Sequence, residues 1–155
     1  MDKGLTSADF QSLANLRHQI RRFLHFSEQA SRSAGLEPRQ HQVILAIKGL
    51  PENARPRIGE IAERLQIQHH SAVELVNRLA AGGYVRRRRG GQDRREVLLA
   101  LTPKGEKVLR ELLLHHRAEL QSAGPALVRA LHDAMRGIQS SRSHKSTLTR
   151  NRRTA

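Results

Sequence analysis

Residues 84–105 run Tyr84-Val85-Arg86-Arg87-Arg88-Arg89-Gly90-Gly91-Gln92-Asp93-Arg94-Arg95-Glu96-Val97-Leu98-Leu99-Ala100-Leu101-Thr102-Pro103-Lys104-Gly105. The stretch has the pattern of a β-hairpin. Tyr84–Arg89 reads as a strand, Gly90-Gly91-Gln92-Asp93 as a turn, and Glu96–Leu101 as a returning strand with Val97, Leu99 and Leu101 on one face. Six arginines (Arg86, Arg87, Arg88, Arg89, Arg94 and Arg95) crowd this hairpin. So many like charges on neighbouring strands cost stability unless a polyanion neutralises them. A solvated hairpin without a partner is the blander reading. Asp93, opposite in sign, is placed to hold the arginines by an ion pair or a turn-capping bond.

Just upstream the period is helical. Ile58, Ile61, Ala62 and Leu65 form one short stripe, and Ala72, Leu75, Val76 and Leu79 form a second. Only Gln66-Ile67-Gln68, with His69 at the margin, lies between them, the length of a helix-turn-helix corner. Gln66 stands where such corners often carry glycine. Gly82-Gly83 closes the second helix with residues that tolerate a left-handed cap. A β-hairpin directly after a helix-turn-helix is a wing. The fold class expected is therefore mainly α with a small β-hairpin wing.

If the second helix buries Ala72, Leu75, Val76 and Leu79, then Gln68, His69, His70, Val73, Glu74 and Asn77 point outward. Gln and Asn can pair with adenine edges, His can donate to guanine or phosphate, and Val can touch a thymine methyl. Ser71 lies in the first turn, suited to a phosphate near the helix N-terminus. Glu74 either accepts from cytosine or pairs with Arg78 four residues on.

The 28 Lys and Arg against 14 Asp and Glu leave a formal charge of +14 on 155 residues, which suits nucleic acid or an anionic surface. The chain has no cysteine, excluding disulfides and thiolate zinc sites. No run of about 18 apolar residues suggests a membrane span, and the N-terminus lacks a signal-peptide layout, so a cytoplasmic protein is expected. Nine histidines invite a metal reading, but no H-x-x-x-H pair falls within a helix, and no metal or cofactor is expected. No Gly-rich phosphate loop or G-x-S-x-G elbow is present, and an enzyme is not expected.

Asp93-Arg94-Arg95-Glu96-Val97-Leu98-Leu99-Ala100-Leu101-Thr102-Pro103-Lys104-Gly105 resembles the D-x-R…L-T-x-x-G signature of the MarR family of regulators. The resemblance extends through Glu60–Leu65 and Leu75–Leu79, with matching helix order from about residue 8 to 139. It implies a homodimer formed by N- and C-terminal helices, whose wings and reading helices bind a pseudo-palindromic double-stranded DNA operator, as a repressor. On this resemblance Arg95 is the minor-groove arginine and Asp93 the residue that anchors it. Many relatives bind a small aromatic or lipophilic anion, which here would lie near Leu16, Ile20, His41, Leu45, Leu112 and His116. With three Phe, one Tyr and no Trp, packing of a core is the plainer reading of those six. A ligand-independent architectural DNA-binding protein, or an RNA- or protein-interaction module, stands as the alternative.

The remaining expectations concern the helices. Ser7 would cap a first helix whose stripe is Phe10, Leu13, Leu16, Ile20 and Leu24, closed at Gly35. Pro38 would open the next, burying Ile44, Ile47 and Leu50. Thr102-Pro103 would start a long helix, Gly124-Pro125 would break it, and a last helix would end before a disordered basic tail from Ser140. The expected division is 1–50 for N-terminal dimerisation and scaffold helices, 51–105 for the DNA-binding lobe, 106–139 for C-terminal dimerisation helices, and 140–155 for the tail.

Overall fold

The computed structural model describes residues 5–90, 93 and 95–150, with side chains described as far as Arg136. The elements are α1 (Ser7–Ser33), α2 (Pro38–Lys48), α3 (Ile58–Leu65), α4 (His69–Ala81), β1 (Val85–Arg89), β2 (Val97–Leu101) and α5 (Pro103–Arg150). Helix with one two-stranded antiparallel hairpin is the class read from the sequence. The chain divides into two compact units, Ser27–His116 and Met1–Phe26 with Arg117–Ala155.

In the 27–116 unit, one core gathers Leu36, Val43, Ile44 and Ile47 with Ile61, Leu75, Val76 and Leu79, and with Val85, Leu99, Val108, Leu109 and Leu112. Every element from α2 onward contributes, so α4 and the hairpin are fixed to one apolar mass. Register along the hairpin runs from Val85 opposite Leu101 to Arg89 opposite Val97. Val97 was expected on the buried face with Leu99 and Leu101, but as the first residue of its strand, at the turn end of the hairpin, it is 45% exposed, while Leu98 and Leu99 are both buried. Along its other edge the α2–α3 loop runs beside β2, where the Leu99 N–H donates to the Pro56 carbonyl at 2.7 Å.

Three helices end in the same way. The N–H groups of Leu36, Ile67 and Tyr84 reach back to the carbonyls of Ser31, Ala62 and Leu79, closures that need a left-handed residue in between. Gly35 (φ 80°) and Gly83 (φ 76°) fill that place in two cases, and Gln66 (φ 52°) fills it at the helix-turn-helix corner. A side chain in this conformation costs about 1–2 kcal/mol, partly offset by the lower unfolded-state entropy of a non-glycine residue. Gln66→Gly is therefore expected to raise stability by about 0.5 kcal/mol, seen as a higher urea midpoint at unchanged m-value; a lower midpoint would show that the corner is unstrained.

Other expectations are corrected at the helix ends. Thr6, not Ser7, caps α1: its Oγ1 accepts from the Asp9 N–H, and the Asp9 carboxylate accepts from the Thr6 N–H at 2.7 Å. Backbone and side-chain hydrogen bonds from Thr6 hold the Asp9 carboxyl below its ordinary pKa. Pro38 does open α2, behind a capping box of Glu37 and Gln40. Gly124-Pro125 does not break α5, which carries Pro125 inside it. A proline removes one backbone hydrogen bond, and the Ala- and Leu-rich turns on either side favour helix strongly enough to continue it. Backbone from Ser140 to Arg150 is helical where disorder was expected. The last five residues of that expected tail lie outside the described residues.

Candidate nucleic-acid interface

The outward face of α4 is as its spacing dictates. Ala72, Leu75, Val76 and Leu79 are buried, whereas Gln68, His69, His70, Glu74 and Asn77 are exposed and Ser71 and Val73 half-buried. Gln68 holds the N-cap position, with extended backbone. Among the described residues there is no Glu74–Arg78 ion pair, which leaves the Glu74 carboxylate on open surface.

The wing is braced at several points. Arg86–Arg89 are exposed along β1. From this row, Arg87 Nη2 donates to Asn77 Oδ1 at 2.6 Å, tying the hairpin to α4. That bond assigns the Asn77 amide: its oxygen faces Arg87 and its N–H groups remain for another acceptor. Asp93 Oδ1 accepts the Arg95 backbone N–H at 2.9 Å, and the Asp93 carbonyl accepts the Glu96 N–H at 3.1 Å. Of the two ways foreseen for Asp93, the structure has the turn-capping one. It orients the backbone that carries the exposed Arg95. Arg94 lies outside the described residues.

Sequence reasoning missed the parts that hold the wing from behind. Thr102 Oγ1 donates to the Gly83 carbonyl and accepts the Gly105 N–H. Lys104 Nζ donates to the Gly82 carbonyl at 2.7 Å and lies 4.3 Å above the Tyr84 ring. Gly105 lets the Tyr84 backbone pass: a Cβ there would stand 2.1 Å from the Tyr84 oxygen. The Thr-x-x-Gly spacing is thus a clamp joining the end of α4 to the start of α5, and the wing leaves from that clamp. Also missed was Glu96, a buried carboxylate paired with Arg55 and Arg57 from the α2–α3 loop. An acid inside a run of arginines was the available signal.

The six residues expected around an effector are shared between the two compact units. Leu16 and Ile20 belong to the 1–26 and 117–155 unit and are half-buried and exposed. In the other unit Leu112 is fully buried in the core and Leu45 is exposed. His41 and His116 do meet, with ring centroids 5.1 Å apart. The Ser31 hydroxyl lies 3.0 Å from His41 Nδ1, and the Ser27 hydroxyl 2.8 Å from His116 Nε2. Burial, and secondarily the charge of His116, push the His41 pKa down to about 4. Among the described residues no group of three or more His, Cys, Asp or Glu could hold a metal ion. Among the same residues no helix is long and apolar enough to cross a membrane.

The sequence profile of the MarR family matches residues 34–96, the stretch that holds the helix-turn-helix and most of the wing. The winged-helix segment is of the MarR family. AbsC, a MarR family transcriptional regulator from Streptomyces coelicolor, shares this fold with a TM-score of 0.68 at 20% identity, over 89% of this chain and 96% of that one. A mutant MarR from E. coli, solved in complex with operator DNA, superposes at a TM-score of 0.57 and 18% identity, over 73% and 76%. BpsR from Bordetella bronchiseptica, whose DNA binding is regulated by 6-hydroxynicotinic acid, does so at 0.58 and 22%, over 80% and 89%. Among curated protein sequences none matches significantly. In the MarR-family segment of this chain, an exposed polar helix face lies beside a braced arginine hairpin, an arrangement able to present donors to base edges and cations to phosphates together.

Proposed function

We propose that the protein is a homodimeric transcription regulator of the cytoplasm that binds a pseudo-palindromic duplex operator, represses from it, and is released by a small organic acid. The observation that carries this reading is the Arg87–Asn77 bond, which couples the wing to the reading helix as one rigid reader. α4 is then the major-groove helix, Arg95 reaches the minor groove, and Arg86–Arg89 neutralise phosphates. Dimerisation is supported by apolar side chains left in water on α1 and the distal part of α5, among them Phe10 at 65%, Leu13 at 55% and Met135 at 50% exposure. Release by a small acid is supported by the behaviour of BpsR.

Two duplexes test the reading, one recovered by selection from a random pool and one scrambled. The selected duplex is expected to hold a pseudo-palindrome with half-sites about one helical turn apart, and to bind about a thousandfold more tightly than the scrambled one. Equal affinities would instead indicate an architectural protein held by charge, and preference for a structured RNA would indicate an RNA module. Arg95→Ala is expected to weaken binding to the selected duplex by about 1–3 kcal/mol without altering the dimer mass in sedimentation. Unchanged affinity would remove Arg95 from the groove.

A further inference from the structure

Three arginines gather at the turn end of the hairpin besides those of its own strands' middle. Arg89 ends β1, and from the α2–α3 loop Arg55 and Arg57 close on Glu96, the residue just before β2. Arg55 Nη1 lies 2.7 Å from Glu96 Oε2, and Arg57 Nε lies 3.4 Å from Glu96 Oε1. The burial is graded: the Glu96 side chain is 8% exposed, against 47% for Arg55 and 59% for Arg57. The carboxylate is inside and the guanidinium groups face water. One negative charge holds two positive ones, so the outer surface of the cluster remains cationic. Each guanidinium has five N–H donors, and an ion pair of this kind occupies only part of that set.

The backbone around the cluster is built for it. The Pro56 carbonyl accepts the Leu99 N–H and the Arg55 carbonyl accepts the Arg57 N–H, both at 2.7 Å, so the residue between the two arginines is stitched to β2. Gly90 accepts the carboxylate at close range, since a Cβ there would lie 2.7 Å from Glu96 Oε2 and 2.8 Å from the Asp93 carbonyl. Arg55 and Arg57 are thus carried at the end of the hairpin where Asp93 orients Arg95.

We propose that Arg55 and Arg57, held by Glu96, form a second phosphodiester-binding site beside the wing tip. It grips the DNA backbone flanking the groove that Arg95 enters. This rests on the duplex-binding reading given above. Glu96 is a positioning residue: it preorganises two long side chains that would otherwise lose rotamer freedom on binding. The contact is to phosphate alone, so it adds affinity without sequence preference.

The test follows the salt dependence of binding to the selected and scrambled duplexes. Arg55→Gln and Arg57→Gln are each expected to lower the slope of log affinity against log salt by about 0.9, with equal loss on both duplexes. Arg57→Lys is expected to restore the slope. Glu96→Gln keeps both guanidinium groups, and its slope is expected to stay as steep as in the unaltered protein. An unchanged slope in the two arginine variants overturns the site. So does a slope that falls equally in Glu96→Gln, which would make the arginines mere props of the wing. Arg95→Ala run in parallel separates the two readings: if it weakens binding while Arg55→Gln and Arg57→Gln do not, only the second site is lost. If the unaltered protein binds neither duplex, the duplex-binding reading itself fails.

Discussion

Gly105→Ala is expected to destabilise the protein by about 3 kcal/mol, a large part of the 5–15 kcal/mol that holds an ordinary domain together. The added Cβ would stand 2.1 Å from the Tyr84 oxygen and 3.1 Å from its carbonyl carbon. Both are backbone atoms, so no flexible side-chain end can swing away. Relief requires the start of α5 to back off from the end of α4. That movement pulls on the Thr102 N–H bond to the Tyr84 carbonyl and on the Lys104 bond to the Gly82 carbonyl. Since β1 begins at Val85, the wing should lose its setting along with the clamp. Gly59→Ala is the matched control. Gly59 is an exposed residue of α3 with open space around the place of a Cβ, and alanine there is expected to stabilise by about 1 kcal/mol. Urea unfolding of both variants checks the pair. A Gly105→Ala protein within about 1 kcal/mol of the original would show that the clamp yields easily.

The contrast between these two glycines marks what was legible in the sequence. Gly59 and Gly105 are alike as letters, and only the structure separates the open site from the closed one. What could be read were the local features. The helix pair followed from Ile61, Ala62, Leu75, Val76 and Leu79, because helical period alone decides which side chains go inward. The hairpin followed from the change of period after Gly83, and Asp93 was legible as a brace of the turn, by ion pair or by capping bond, between which only the structure chose.

Features resting on contacts distant in sequence were not legible. Glu96 meets Arg55 and Arg57 across about forty residues of chain. Leu98 and Leu99 are both buried, which no alternating pattern within the strand announces. At Thr6 the competing cap, Ser7, was one residue away and chemically equivalent in kind. Only the reach of Asp9 back to Thr6 decided between them. Pro125 was over-weighted, because a proline weakens a helix at one point whereas the neighbouring turns act together.

Acidification is expected to weaken the protein through His41. Its pKa is about 4 in the folded chain, against an ordinary value of 6.5, because burial disfavours the charged ring and His116 adds to the effect. The hydrogen bonds agree with a neutral imidazole. The Ser31 hydroxyl spends its proton on the Ser27 carbonyl at 2.8 Å, so it receives the Nδ1–H of His41 rather than donating to it. Facing it, His116 donates from Nδ1 to the Leu112 carbonyl at 2.7 Å and lies with Nε2 against the Ser27 hydroxyl. A second proton on His41 would therefore go to Nε2 and bring a charge into a buried place. The unfolded chain takes up that proton near pH 6.5 and the folded chain only near pH 4. The stability tied to neutral His41 is therefore fully present above pH 6.5, falls between 6.5 and 4, and is gone below 4. At pH 5 the loss is about 2 kcal/mol relative to neutral solution. Urea midpoints taken from pH 7.5 to 4.5 should show this decline, and His41→Gln should flatten it even if its stability at pH 7.5 is lower. The ring signal of His41 in a proton NMR titration should move near pH 4. Movement near 6.5, or a decline equally steep in His41→Gln, would place the acid sensitivity elsewhere in the molecule.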